Sequence, residues 1–154
     1  MTKPEDRQIL ICFDGSNDAE RAVEAAAALL GPRPAVVLNV VPALRFAEST
    51  AAISSFGPGS VLEHLNKAEG LRCAEIGAAH ARRTGLDAEA RATIAPTTWQ
   101  GIVAVADELN AAVIVIGSRG PSGPSEISSA SVSHDVITHA RRPVLTVPAA
   151  KRAA

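Results

Sequence analysis

The chain has 154 residues, 47% of them hydrophobic and 20% charged, with a formal net charge of −1. That length fits one domain with a core of its own, and that hydrophobic share excludes a disordered chain. The balanced charge excludes an electrostatic footprint for nucleic acid or an anionic membrane, and 3% aromatics with no Tyr exclude a stacking platform for single strands.

The core must then be built from Val, Ile, Leu and Ala. Cys12 and Cys73 lie far apart, with no metal or redox spacing, and fit a reducing interior as small apolar residues. The start of the chain lacks a secretory apolar region, and no run of about 18 apolar residues could span a bilayer. A cytoplasmic location is expected. Arg141-Arg142 and Lys151-Arg152 are two local basic pairs.

Strand and helix signals alternate. Ile9 to Phe13 reads as a strand buried on both faces. Asp14-Gly15-Ser16 ends it, and Ser16 or Asn17 suits the cap of a helix carrying Ala19, Ala22, Val23, Ala26, Leu29 and Leu30 on one face. Gly31-Pro32 stops that helix. Ala35 to Val41 is a second buried strand closed by Pro42, and a loop rich in Ala, Ser, Gly and Pro runs to Ser60. Val61 to Thr84 is expected to be a longer helix with Leu62, Leu65, Cys73 and Ile76 inward, ended by Gly85. Asp87 to Ile94 alternates apolar and polar residues, the pattern of an edge strand. Thr98 to Leu109 follows as a helix with Ile102, Val105, Ala106 and Leu109 inward. Ala112 to Ile116 is the strongest buried strand. After a Gly- and Ser-rich loop, Ser131 to His139 is a short helix aligning Val132, Val136, Ile137 and Ala140, and Pro143 to Val147 is the fifth strand.

This order predicts an α/β fold: an open, doubly wound, five-stranded parallel sheet with helices on both faces. If strands one and four are neighbours, the chain reverses direction between them, and the crevice there is the expected ligand site.

The segment from Gly117 to Val132 carries the chemistry. It leaves a buried strand, runs through Gly117-Ser118-Arg119-Gly120-Pro121-Ser122-Gly123-Pro124 and enters a helix. Such a loop can turn amides inward, and the helix start offers a positive end to an anion. Glycines let backbone approach phosphate, and Ser131 and Ser133 add hydroxyls. The bland alternative is a flexible surface connection. Neither a P-loop lysine nor the dinucleotide-binding glycine triplet is present.

At this point the chain resembles the universal stress protein family. The likeness rests on Asp14-Gly15-Ser16 after the first strand, on Gly117-Ser-Arg-Gly120, and on the closing Pro143-Val144-Leu145-Thr146-Val147, and it spans Gln8 to Pro148. A domain over 8–148 with flexible termini at 1–7 and 149–154 is expected. The ATP-binding members of that family carry Gly, two residues, Gly, nine residues, then Gly-Ser or Gly-Thr. Here Gly117 and Gly120 match, nine residues from Pro121 to Ser129 follow, Ala130 replaces the third Gly, and Ser131 matches.

The resemblance implies an adenine nucleotide alpha hydrolase-like fold, an ATP ligand with Mg2+ as its companion ion, and a homodimer through the last strand. It implies that Asp14 faces the nucleoside and that Val40 pairs its backbone with the adenine edge. Gly117 and Gly120 would line the ribose and phosphate path, with Ser131 and Val132 offering donors to phosphate. Arg119 is the cation placed to meet phosphate, whereas Glu126 would repel it. Ala130 brings a Cβ where Gly can take positive φ, and Pro121 and Pro124 each remove a donor.

Other readings are weaker. Asp14 could serve only the turn into the helix. Ser133-His134-Asp135 is no triad, because adjacent helix residues point apart. His64, His80 and His139 read as solvated helix residues, Cys12 as inert packing, and Trp99 as a partly buried helix residue. Three functions compete: a nucleotide-binding stress sensor or regulator with slow or no hydrolysis, a dimeric interaction module without nucleotide, and an adenylyl-transfer enzyme. The first is expected. No base and cation set for rapid phosphoryl transfer stands in the sequence, so no catalytic residue and no protein-held metal is assigned.

Overall fold

The computed structural model describes residues 7–43, 61–118 and 128–150, and for 61–63 and 128–131 the backbone alone. The loop reading for 44–60, the side chain of Leu62, and Arg119, Gly120, Pro121, Pro124, Glu126, Lys151 and Arg152 fall outside the described residues.

Five strands form one parallel sheet: β1 (Ile9–Cys12), β2 (Pro34–Pro42), β3 (Asp87–Ala95), β4 (Val113–Gly117) and β5 (Val144–Val147). Their order is β3-β2-β1-β4-β5. Four helices among the described residues cover it: α1 (Asn17–Leu30), α2 (Val61–Arg83), α3 (Thr98–Glu108) and α4 (Ser128–His139). The doubly wound parallel sheet expected from the alternation is the fold observed. The crossovers put α1 and α2 on one face and α3 and α4 on the other, the arrangement that connections of one hand produce when the strand order reverses.

The central strands are buried on both faces, which is why they read as unbroken apolar runs. Ile9, Ile11 and Val37 pack under α1 and α2, while Leu10, Val36, Leu38 and Ile114 pack under α3 and α4. β3 is an edge strand, as its alternation predicted, and β5 is the other edge. Ser16 caps α1 by accepting the Ala19 N–H at 3.1 Å, and Gly31 ends it with φ +71.

Several inward assignments are corrected. In α2 the buried stripe is Gly70, Ala74, Gly77, Ala78 and Ala81, with Cys73 beside it. Leu65 and Ile76 lie on the opposite side, 58% and 63% exposed. The reason is close seating on the sheet. A Cβ on Gly77 would stand 2.6 Å from the Phe13 ring, so only small residues fit that stripe. In α1, Leu29 sits at the flank of the stripe in the last turn and is exposed. In α4, Val136 is buried, but Ile137 turns about 100° further round and is exposed.

The ends of the domain are tied down. Arg7 donates to Asn110 Oδ1 at 3.4 Å, and Ala149 N–H donates to Ser118 Oγ at 3.0 Å. Of the basic pair, Arg141 is exposed but Arg142 is turned inward. Its Nη1 donates to Ala111 C=O at 2.5 Å and its Nη2 to Asp107 Oδ1 at 2.7 Å, joining the end of α3 to the entry of β5. Arg142→Ala is therefore expected to lower stability by about 1–2 kcal/mol in urea unfolding, because a carbonyl and a carboxylate lose a charged donor.

Candidate functional site

The chain steps from β1 to β2 to β3 in one direction and then returns to place β4 and β5 on the other side of β1. The reversal lies between β1 and β4, and the loops leaving their carboxyl ends flank a crevice. Both sequence segments singled out for ligand binding leave from that edge.

The first loop is a defined turn. Asp14 Oδ1 accepts the Ser16 N–H at 2.9 Å and the Ser16 hydroxyl at 2.6 Å, while Gly15 takes φ +83. The local role for Asp14 is thus real. Asp14 is also exposed, and both bonds use one oxygen, so Oδ2 remains open to a ligand hydroxyl. The two roles are compatible.

Val40 stands two residues past the end of the β1–β2 ladder, which closes at Cys12↔Leu38. Leu38 turns its backbone groups toward β1, since its C=O accepts the Phe13 N–H at 2.8 Å. Backbone directions alternate along a strand, so Val40 points its N–H and C=O the same way, into the space beyond the end of β1. Its side chain packs over Gly101 on the other face, where a Cβ would meet Val40 Cγ1 at 2.6 Å.

Two residues that sequence reasoning missed lie beside this edge. Asn39 Nδ2 donates to Phe13 C=O at 2.9 Å. The Cys73 sulfur comes within 3.6 Å of where a Gly15 Cβ would stand, so this thiol belongs to the crevice wall and not only to the core. No local signal pointed to either, because each contact joins residues far apart in sequence. Burial first, and then the Asp14 carboxylate, push both the Cys12 and the Cys73 thiols up from their ordinary range. Native protein should therefore alkylate more slowly at both sites than the denatured chain, and Asp14→Asn should speed Cys73, as peptide mass spectrometry would show. A raised thiol pKa stabilises the fold below the unfolded value of about 8.5, and that contribution is lost as pH rises through the folded value.

Gly117 closes β4 against Val147, and a Cβ on it would sit 3.0 Å from Asp18 C=O in the first turn of α1. Its lack of a side chain lets α1 approach the sheet at the crevice. Ser118 continues the edge, its N–H donating to Val147 C=O at 2.8 Å. Arg119 and Gly120 lie outside the described residues. α4 begins at Ser128, three residues before the predicted start, so Ala130 and Ser131 stand in its first turn. Helical backbone suits Ala130 well and needs no positive φ there. Val132 packs against the core under α4, and Ser133 is buried in the second turn.

The triad reading fails as expected, with Ser133 buried and His134 exposed. Trp99 is half-buried on α3 and stacks on His139 of α4, ring centroids 4.2 Å apart at 22°. His139 is thus exposed but not free of contacts. Among the described residues no group of His, Cys, Asp or Glu is arranged to hold a metal, and no helix is long and apolar enough to cross a membrane.

The Universal stress protein YxiE of Bacillus subtilis is 28% identical over 145 residues, covering 91% of this chain and 97% of that protein. The universal stress protein from Archaeoglobus fulgidus, solved in complex with dAMP, is 26% identical with a TM-score of 0.61, covering 91% of this chain and 96% of that one. The hypothetical protein MJ0577 shares the fold at a TM-score of 0.75 and 23% identity, covering 96% of this chain and 99% of that one. The sequence model of the Universal stress protein family matches residues 6–148, which contain the whole described sheet and its helices, and the chain belongs to that family.

Proposed function

We propose that the chain binds an adenine nucleotide, ATP foremost, in the crevice between the Asp14 turn and the loop after Gly117, and works as a stress-response sensor or regulator with slow or no hydrolysis. The observation that carries this is the backbone edge at Val40, directed into the space beyond the end of β1, beside a turn whose carboxylate has an open oxygen. An adenine edge carries one acceptor and one donor, and a strand residue offers their complement. The dAMP complex of the Archaeoglobus fulgidus relative supports the same class of ligand. Gly117 and the first turn of α4, with Ser131, fit the phosphate side, where helix amides and the dipole favour an anion. Val132 stands in the second turn, where its N–H belongs to the helix's own ladder and its side chain serves the core, so the free amides are those before it. Mg2+ would ride on the phosphates. The exposed strand edge of β5 suits pairing with a second copy.

The test is mass spectrometry of nucleotide released from purified, denatured protein, followed by titration calorimetry with ATP. Absence of both bound and added nucleotide would count against the reading, and turnover near about 10 per second would count against a non-enzymatic role. Ala130→Gly is expected to leave ATP affinity unchanged or weaker, because Gly in a helical turn costs about 1 kcal/mol relative to Ala. A second reading, an interaction module without nucleotide, is favoured by the engagement of Asp14 with Ser16, and the same titration separates the two.

A further inference from the structure

The amide of Asn39 occupies the place where the β1–β2 ladder would otherwise continue. Leu38 C=O takes the Phe13 N–H, and the next rung of a parallel ladder would send the Val40 N–H to Phe13 C=O. Asn39 Nδ2 takes that carbonyl instead, at 2.9 Å, and no backbone bond joins Val40 N–H to it. Gly70 makes the room: a Cβ there would lie 2.9 Å from Asn39 Oδ1 and 2.8 Å from Val41 Cγ2.

Two things follow from this substitution of a side chain for a rung. The Phe13–Asp14 peptide is held in one plane, so the Asp14 turn starts from a fixed direction. The Val40 N–H and C=O also stay turned toward the crevice as an open donor–acceptor pair. Adenine presents N1 as acceptor and its 6-amino group as donor, which match that pair. Guanine presents the reverse, an N1–H donor and an O6 acceptor, and meets the pair only when turned over, which would carry its ribose away from the Asp14 turn. We propose that Asn39 is a positioning residue that keeps the Val40 edge open and thereby sets a preference for adenine over guanine. The proposal rests on the nucleotide reading above and names the residue that tunes that site.

The experiment uses the whole chain and two variants, Asn39→Leu, of similar volume without a donor, and Asn39→Ser, which stays polar but cannot reach Phe13. Amide exchange followed by NMR on ligand-free protein is the first readout. Val40 should exchange faster than Leu38 in the wild type, and its exchange should slow by about tenfold in the variants as its N–H closes on the freed carbonyl. Calorimetry with AMP and GMP is the second. The variants should lose about fivefold or more in AMP affinity, with GMP little changed, so that the preference shrinks. A Val40 amide as protected as Leu38 in the wild type overturns the proposal. So do variants that keep the wild-type preference while AMP still binds, and in that case the nucleotide reading stands. A wild-type protein that binds neither nucleotide brings down that reading and this proposal together.

Discussion

Gly77→Val is expected to cost about 3 kcal/mol of stability, the scale of overpacking in a closed core. Gly77 lies on the sheet-facing stripe of α2, and a Cβ there would stand 2.6 Å from Phe13 Cγ and 2.8 Å from both Cδ atoms. The ring cannot yield, because Phe13 is 3% exposed and lies among Ile11, Val37 and Ala78. The helix must lift instead, and lifting it strips cover from the whole stripe. For a chain of this size that loss corresponds to a fall in melting temperature of roughly 10 °C. Urea unfolding with a second variant, Phe13→Leu, gives the control. The smaller side chain should recover part of the loss in the double variant, a coupling expected only of residues in contact. A Gly77→Val protein within about 0.5 kcal/mol of wild type would show that the seat is not rigid.

Asp14→Ala should weaken ATP and AMP binding by about 1–3 kcal/mol, roughly fivefold to more than a hundredfold. In the proposed site the exposed carboxylate would do two jobs: Oδ1 holds Ser16, and Oδ2 would accept a ribose hydroxyl. Alanine removes both. Asp14→Asn keeps an acceptor for the Ser16 N–H and should fall between the two in affinity. The fold should hardly notice either change, because an exposed side chain contributes little to stability and Ser16 Oγ still caps α1. Calorimetry on the three proteins decides the matter. Unchanged affinity in Asp14→Ala would reduce the residue to its local turn.

The sheet was legible in the sequence because parallel strands buried on both faces must be apolar throughout, as Ile9 to Ile11 and Val113 to Ile116 are. The edge position of β3 was legible for the opposite reason, since one of its faces meets water. The inward face of α2 was not, because Gly and Ala carry almost no hydrophobic signal and the larger Leu65 and Ile76 drew the assignment outward. Exact seating on Phe13 selects for absence of bulk, which periodicity cannot register. The placing of Asp14 and Gly117 at the reversal of the sheet was legible because both follow buried apolar strands. Asn39 was hidden inside the strand pattern Val37-Leu38-Asn39-Val40, where one polar residue looks like an interruption. Its partner, the Phe13 carbonyl, appears only once β1 and β2 are side by side. The start of α4 was misplaced because Ser128, Ser129, Ala130 and Ser131 can each open a helix.

The stack of Trp99 on His139 gives the molecule an optical handle. Trp99 is the single tryptophan of a chain with no tyrosine, so its emission is not blended with that of any other strong near-ultraviolet chromophore. The ring lies on the contact between α3 and α4, and α4 is the helix that follows the loop after Gly117. Any occupant of that loop that shifts α4 against α3 changes how far the imidazole overlaps the indole. Excitation at the red edge of the indole band, where adenine does not absorb, would then report the movement in unlabelled protein, with His139→Ala as the variant in which the signal disappears.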